Sequence, residues 1–160
     1  MAKEKEVKTN AMRILESLGI PFTHQSYECE EFIDGIATAD KLGLPHEQVF
    51  KTLVTVGSSK NYFVFVLPIE EELDLKKAAK SVGEKNVEMI HVKDITAVTG
   101  YVRGGCTSIG MKKQYVTRVE ETAQLYDKIY VSAGKIGAQI CLAPDDLIRA
   151  NGGEFADIIK

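Results

Sequence analysis

Two dense runs of β-branched and aromatic residues, Thr52-Leu53-Val54-Thr55-Val56 and Tyr62-Phe63-Val64-Phe65-Val66-Leu67, flank the polar stretch Gly57-Ser58-Ser59-Lys60-Asn61. Two such runs around a short polar turn specify a β-hairpin. Neither run alternates cleanly between apolar and polar residues. Both faces of the hairpin therefore need cover, and the pair belongs in the middle of the fold, not at an edge.

The flanking segments supply that cover. Val7, Ala11, Ile14, Leu15 and Leu18 fall on one face at helical spacing, and Gly19-Ile20-Pro21 ends the helix. An extended segment over residues 22–27 and a loop over 29–34 follow. Asp34 is expected to cap a short helix reaching Leu42, and Pro45 to open a single turn running to Phe50. Beyond the hairpin, Asp74 is placed to cap a helix with the apolar stripe Leu75, Ala78, Ala79 and Val82.

A short strand over residues 87–90, a short helix over 94–98 and a glycine-dense loop over 99–110 come next. Strands are expected at 115–119, 129–132 and 138–142, a short helix at 121–125, and a turn at 133–137. Pro144-Asp145-Asp146 opens a last helix that stops at Asn151-Gly152-Gly153, and residues 155–159 add one more strand. Hairpin-linked strands with scattered helices make this an α+β fold, a mixed, largely antiparallel sheet or partial barrel surrounded by helices. There is no βαβ rhythm, repeat or long linker, so residues 1–160 read as one domain.

Composition narrows the partners. Hydrophobic residues at 44% and charged residues at 27% are those of a globular protein. No apolar run approaches the roughly 18 residues of a membrane span. The start, Met1-Ala2-Lys3-Glu4-Lys5-Glu6, lacks the apolar core of a signal peptide, so a cytoplasmic location is expected. Cys29, Cys106 and Cys141 are odd in number and widely spaced, which argues against a disulfide framework and a zinc site. With a net charge of −3, any contact with nucleic acid must use a local basic patch. The candidates are Lys76, Lys77, Lys80 and Lys85 around one helix, and Arg103, Lys112, Lys113 and Arg118 around the glycine loop.

Several motifs are weaker than they look. Gly105-Cys-Thr-Ser-Ile-Gly110 has the glycine spacing of a phosphate-binding loop, but Met111 stands where the lysine belongs. Ser132-Ala-Gly-Lys135 matches S-x-x-K, which requires a helical turn where a hairpin is expected. Cys106 would need a base or a depressed pKa to act as a nucleophile, and His24, His46 and His91 are all distant in sequence. Lys51 stands between a helical turn and an apolar strand. By pattern alone it either snorkels to the surface or points into a polar pocket, and snorkelling is the commoner outcome.

Resemblance separates these readings. Gln48-Val-Phe-Lys51-Thr-Leu-Val is similar to the core motif of the YbaK/EbsC family, free-standing relatives of the editing domain of bacterial prolyl-tRNA synthetase. Leu73-Asp-Leu-Lys-Lys-Ala-Ala-Lys80, Thr99-Gly-Tyr-Val-Arg-Gly-Gly105, Ile129-Tyr-Val-Ser-Ala-Gly-Lys135-Ile-Gly137 and Phe155-Ala-Asp-Ile158 resemble further family segments in the same order. The resemblance implies a deacylase of mischarged tRNA, typically cysteinyl-tRNA(Pro), with prolyl-tRNA synthetase as a possible partner; the spacing of the histidines and cysteines gives no metal site, and no cofactor is expected.

It also implies roles. Lys51 matches the family's essential lysine, and Thr52 follows it. Tyr27 and Phe32 correspond to pocket aromatics, and Gly104 and Gly105 to a loop that approaches the acylated 3′ end. In the cysteine-specific branch the substrate's own thiol attacks the ester. Two departures stand out. Gln139 occupies a position where a cysteine-specific member carries aspartate, and the loop Gly104-Gly-Cys-Thr-Ser108 lacks the proline of Gly-Gly-Ile-Ser-Pro. Whether cysteine, alanine or serine is removed stays open at this point. So do a binding module without catalysis and a hydrolase using Cys106.

Overall fold

The structure, a computed structural model, describes residues 8–26 and 35–160. In chain order its helices and strands are α1 (Asn10–Ser17), β1 (Thr23–Ser26), α2 (Gly35–Leu42), β2 (Phe50–Gly57), β3 (Tyr62–Pro68), α3 (Leu75–Ser81), β4 (Val87–Met89), α4 (Ile95–Thr99), β5 (Val116–Glu120), β6 (Ile129–Ser132), β7 (Ala138–Leu142), α5 (Pro144–Asn151) and β8 (Glu154–Ala156). Single 3-10 turns stand at His46–Gln48, Val92–Asp94 and Glu121–Leu125.

The hairpin forms as its sequence requires. β2 and β3 pair antiparallel from Phe50 opposite Pro68 to Val56 opposite Tyr62. They occupy the interior of a five-stranded sheet ordered β4-β2-β3-β5-β8, while β1-β7-β6 form a second, antiparallel sheet. Among the described strands, only the β3–β5 and β5–β8 pairs run parallel. The expected α+β fold with a mixed, largely antiparallel sheet is what the chain adopts. Closure of the partial barrel takes the form of two packed sheets, bridged where Val49 pairs with Tyr130.

β3 explains the missing alternation. Val64, Phe65, Val66 and Leu67 are each fully buried. Phe63, Phe65 and Leu67 pack with Ala78 and Ala79 of α3 and with Ile158. On the other side, Val66 joins Phe50, Ile129, Ile140 and Leu142 in a core shared with the second sheet and α1. Such a strand buries an apolar residue at every step, and each contributes about 1.5–3 kcal/mol of transfer free energy.

Local punctuation agrees with the sequence at most termini. Asp74 accepts from the Lys76 and Lys77 amides and caps α3. Pro144 opens α5, and Gly152, in the left-handed conformation at φ 70°, closes it. Four details differ. Leu75 is 43% exposed because it lies in the first turn of α3, beside its cap. Leu18 is equally exposed because α1 ends at Ser17 and leaves it at the C-cap. Pro45 precedes its turn as the cap instead of starting it. Residues 121–125 wind as a 3-10 turn, not an α-helix. The expected cap at Asp34 lies outside the described residues.

One buried carboxylate ties the end of β5 to the C-terminal segment. Glu120 is 1% exposed, and its carboxylate accepts from Thr122 N–H at 2.9 Å and from Ile158 N–H at 3.0 Å. Hydrogen bonds to a charged acceptor are worth about 1.5–3 kcal/mol each, and a buried amide left unpaired is costly. Glu120→Ala is expected to lower unfolding free energy by about 2–3 kcal/mol, read from urea denaturation midpoints.

Candidate functional site

Where the two sheets meet, the chain leaves a cavity of about 360 Å³. Its floor comes from the start of β2, including Lys51 and Thr52. Met89, Ile90, Val92 and Ile95 form an apolar side wall. Arg103, Gly104 and Cys106 reach it from the glycine loop, Ser132 and Gln139 from the second sheet, and Thr38 from α2. The side wall, Thr38, Ser132 and Arg103's place in the cavity are not legible in the sequence as site features, because packing of distant segments assembles them. Gly105 is not part of the lining. Tyr27 and Phe32 lie outside the described residues.

Lys51 does not snorkel. Its ammonium is half-buried and donates to the Ile69 carbonyl at 3.3 Å. Burial pushes its pKa below the ordinary lysine value, against the opposing pull of Glu72 and Glu71. A cation desolvated in this way interacts strongly with any anion or oxyanion that enters.

The two glycines divide the work of their loop. Gly104 lines the cavity and takes φ 85°, a left-handed backbone that favours glycine. Gly105 faces the other way: a Cβ there would stand 2.8 Å from the backbone of Lys135. Its N–H is spent on the Val102 carbonyl at 2.9 Å. Of the two loop glycines, Gly104 thus borders the cavity, while Gly105 stands outside its lining and docks the loop on the β6–β7 turn. Its missing side chain is what lets the backbones approach.

Gln139 is 8% exposed and borders the cavity, and its Oε1 is buried without a hydrogen-bond partner. Cys106 also borders it, but burial pushes its thiol up to about 11, so the thiolate needed for nucleophilic attack is scarce near neutrality. None of the three histidines lines the cavity. His46 instead bridges Asp40 at 2.7 Å and Glu70 at 2.9 Å.

The hairpin at residues 132–138 disposes of the S-x-x-K reading, and no helix follows Gly110 to make a phosphate loop. Of the second basic cluster, Arg103 reaches the cavity. Arg118 is instead engaged by the carbonyls of Ser81 and Thr117, both at 3.0 Å.

A desolvated ammonium, a glycine turn and apolar walls thus meet in one pocket. Residues 33–150 match the sequence model of the aminoacyl-tRNA editing domain, and the chain belongs to that family. It is 49% identical over 160 residues to an Enterococcus faecalis protein, covering 99% of this chain and 98% of that one. That relative carries the provisional name Cys-tRNA(Pro)/Cys-tRNA(Cys) deacylase EbsC.

Two solved structures share the fold. One, provisionally described as a trans-editing enzyme for prolyl tRNA synthetase, has a TM-score of 0.81 at 22% identity and covers 95% of this chain and 98% of its own. The other, hypothetical protein APE2540, has a TM-score of 0.83 at 20% identity and covers 92% and 97%.

Two variants test the site's construction. Gly105→Ala is expected to force the loop off the β6–β7 turn, costing about 1–3 kcal/mol in denaturation experiments and lowering turnover. Cys106→Ala is expected to retain hydrolysis, since a thiol held protonated does not attack. Loss of activity at constant thermal midpoint would restore the cysteine mechanism.

Proposed function

We propose that this protein removes wrongly attached amino acids from tRNA by hydrolysing the ester at the acylated 3′ end, with cysteinyl-tRNA as its main substrate. The observation that carries this reading is Lys51, a half-buried ammonium at the head of β2, facing a cavity large enough for an aminoacyl group. The family membership supports the reaction class, and the name of the E. faecalis relative supports cysteine as the amino acid. Residues 1–160 act as one editing domain in the cytoplasm, beside the translation machinery. Prolyl-tRNA synthetase is the natural neighbour, because a hydrophobic synthetic pocket rejects near-isosteres by only about 1–3 kcal/mol and passes cysteine as proline.

In this mechanism Lys51 and the Gly104 turn hold the ester and stabilise the negative charge that develops on its carbonyl oxygen. Thr52 borders the same space, and Tyr27 and Phe32 are assigned to the pocket on the resemblance. The nucleophile is the substrate's thiol. Its sulfur bonds to the carbonyl carbon, the C–O bond to the ribose breaks, and the thiol proton ends on the released 3′ oxygen. Water then opens the resulting thiolactone to free cysteine. Positioning of a tethered nucleophile supplies the rate, and the protein need not provide one.

The test is deacylation of tRNA(Pro) carrying cysteine, alanine or serine. Wild-type protein is expected to favour cysteine, and Lys51→Ala to lose at least about 100-fold in kcat. Lys51→Met should unfold at an equal or higher temperature. A lysine whose folded pKa is depressed penalises the native state below that pKa, and the penalty fades as pH rises through it. Activity should fall on the alkaline side before the ordinary lysine range, and earlier still in Glu72→Gln. Undiminished turnover by Lys51→Ala would refute the assignment, and tRNA binding with no hydrolysis of any ester would make the protein a binding module.

A further inference from the structure

Among the described residues, the buried side-chain polar atom that folding leaves without a partner is Gln139 Oε1. The two sheets could have enclosed an apolar residue at that position of β7 for less free energy. Ile140 and Leu142, on the same strand, are buried and apolar. An unpartnered acceptor on a residue that borders a cavity is a group that a donor entering the cavity would satisfy.

The residue beside it supplies the complementary group. Gln139 lies directly opposite Ser132 in the β6–β7 register. Opposed residues of an antiparallel pair share a face of the sheet, with Cβ atoms about 5 Å apart. Both residues border the cavity. Ser132 Oγ accepts from Gly134 N–H at 3.2 Å, which leaves its hydroxyl proton to be donated. An acceptor and a donor thus belong to neighbouring residues of the lining, while Val54, Ile69 and Ile90 contribute apolar surface elsewhere in it.

We propose that Gln139 and Ser132 form the subsite that reads the side chain of the ester-linked amino acid and selects one ending in a thiol or hydroxyl. Such a group donates its proton to Gln139 Oε1 and accepts from the Ser132 hydroxyl. A methyl group can do neither. The prolyl side chain, made only of CH2 groups, likewise gains nothing there, so a correctly charged prolyl ester is left alone. Sites built to bond a substrate hydroxyl or N–H reject analogues that lack it far better than apolar pockets reject a missing methylene. Gln139 is neutral and cannot act as a base, so its role is selection, with the chemistry left to Lys51 and the substrate. This inference rests on the editing function proposed above.

The experiment uses non-reacting ligands, so that binding is read apart from hydrolysis. Adenosine carrying cysteine, serine or 2-aminobutyrate through a stable 3′ amide is titrated into the full chain and followed by NMR. 2-Aminobutyrate has a methyl in place of the thiol. Wild-type protein is expected to bind the cysteinyl and seryl compounds at least about tenfold more tightly than the 2-aminobutyryl compound.

Gln139→Met keeps the length and unbranched shape of the side chain and should erase that gap while binding the 2-aminobutyryl compound as before. Ser132→Ala should narrow it. The unchanged affinity for the methyl compound certifies the fold, and if Gln139→Met binds nothing, Ser132→Ala decides. Equal wild-type affinity for all three, or a gap that survives both substitutions, would overturn the subsite alone. Failure of the wild type to bind any of the three would overturn the editing reading with it.

Discussion

A strand buried on both faces organises this molecule. β3 has no solvent side: α3 and Ile158 cover one face, and on the other Val66 packs against Phe50 and the second sheet. Its backbone amides and carbonyls cannot turn to water, so each edge needs a partner strand. β2 takes one edge and β5 the other. Once those pairings are made, the start of β2 lies beside the end of β3, and Val49 meets Tyr130 of the second sheet. Lys51 is carried to the seam between the sheets by that geometry. The cavity is lined from both sheets, by the start of β2 on one and by Ser132 and Gln139 on the other.

Polar groups in the interior fall into two kinds, and the difference separates structure from chemistry. Glu120 and Gln139 are both over 90% buried. Glu120 is saturated by two backbone amides and serves to hold the C-terminal segment. Gln139 Oε1 has none, and the residue borders the cavity. Lys51 is intermediate, with one carbonyl at 3.3 Å and two glutamates at longer range to support a desolvated charge. Folding leaves Lys51 and Gln139 under-satisfied at a cost in stability, a deficit that a polar group entering the cavity would relieve.

Features governed by near neighbours are legible in the amino-acid order alone. The hairpin, the Asp74 cap, the Pro144 start of α5 and the strands at 129–132 and 138–142 each depend on residues a few positions apart. Leu75 and Leu18 share the apolar faces of their helices yet lie exposed, because helical periodicity indicates a face but not where along it the packing begins and ends. Gly104 and Gly105 look equivalent in the chain for the same reason. Sequence reveals that a turn needs glycine, not which one lines the cavity and which one meets the Lys135 backbone.

The sequence by itself determined the fold class and the central hairpin, because local pattern and turn chemistry act over a few residues. The ordered family motifs also singled out Lys51, which periodicity alone would have left at the surface. Tertiary structure alone decided that Lys51 is desolvated, that Gln139 and Ser132 stand opposite each other beside the cavity, and that burial pushes the Cys106 thiol up. Those properties depend on which groups exclude water from which. In this protein the excluding groups come from α2, β2, β4, the glycine loop and the second sheet, segments far apart in the chain that only the packing of the two sheets brings together.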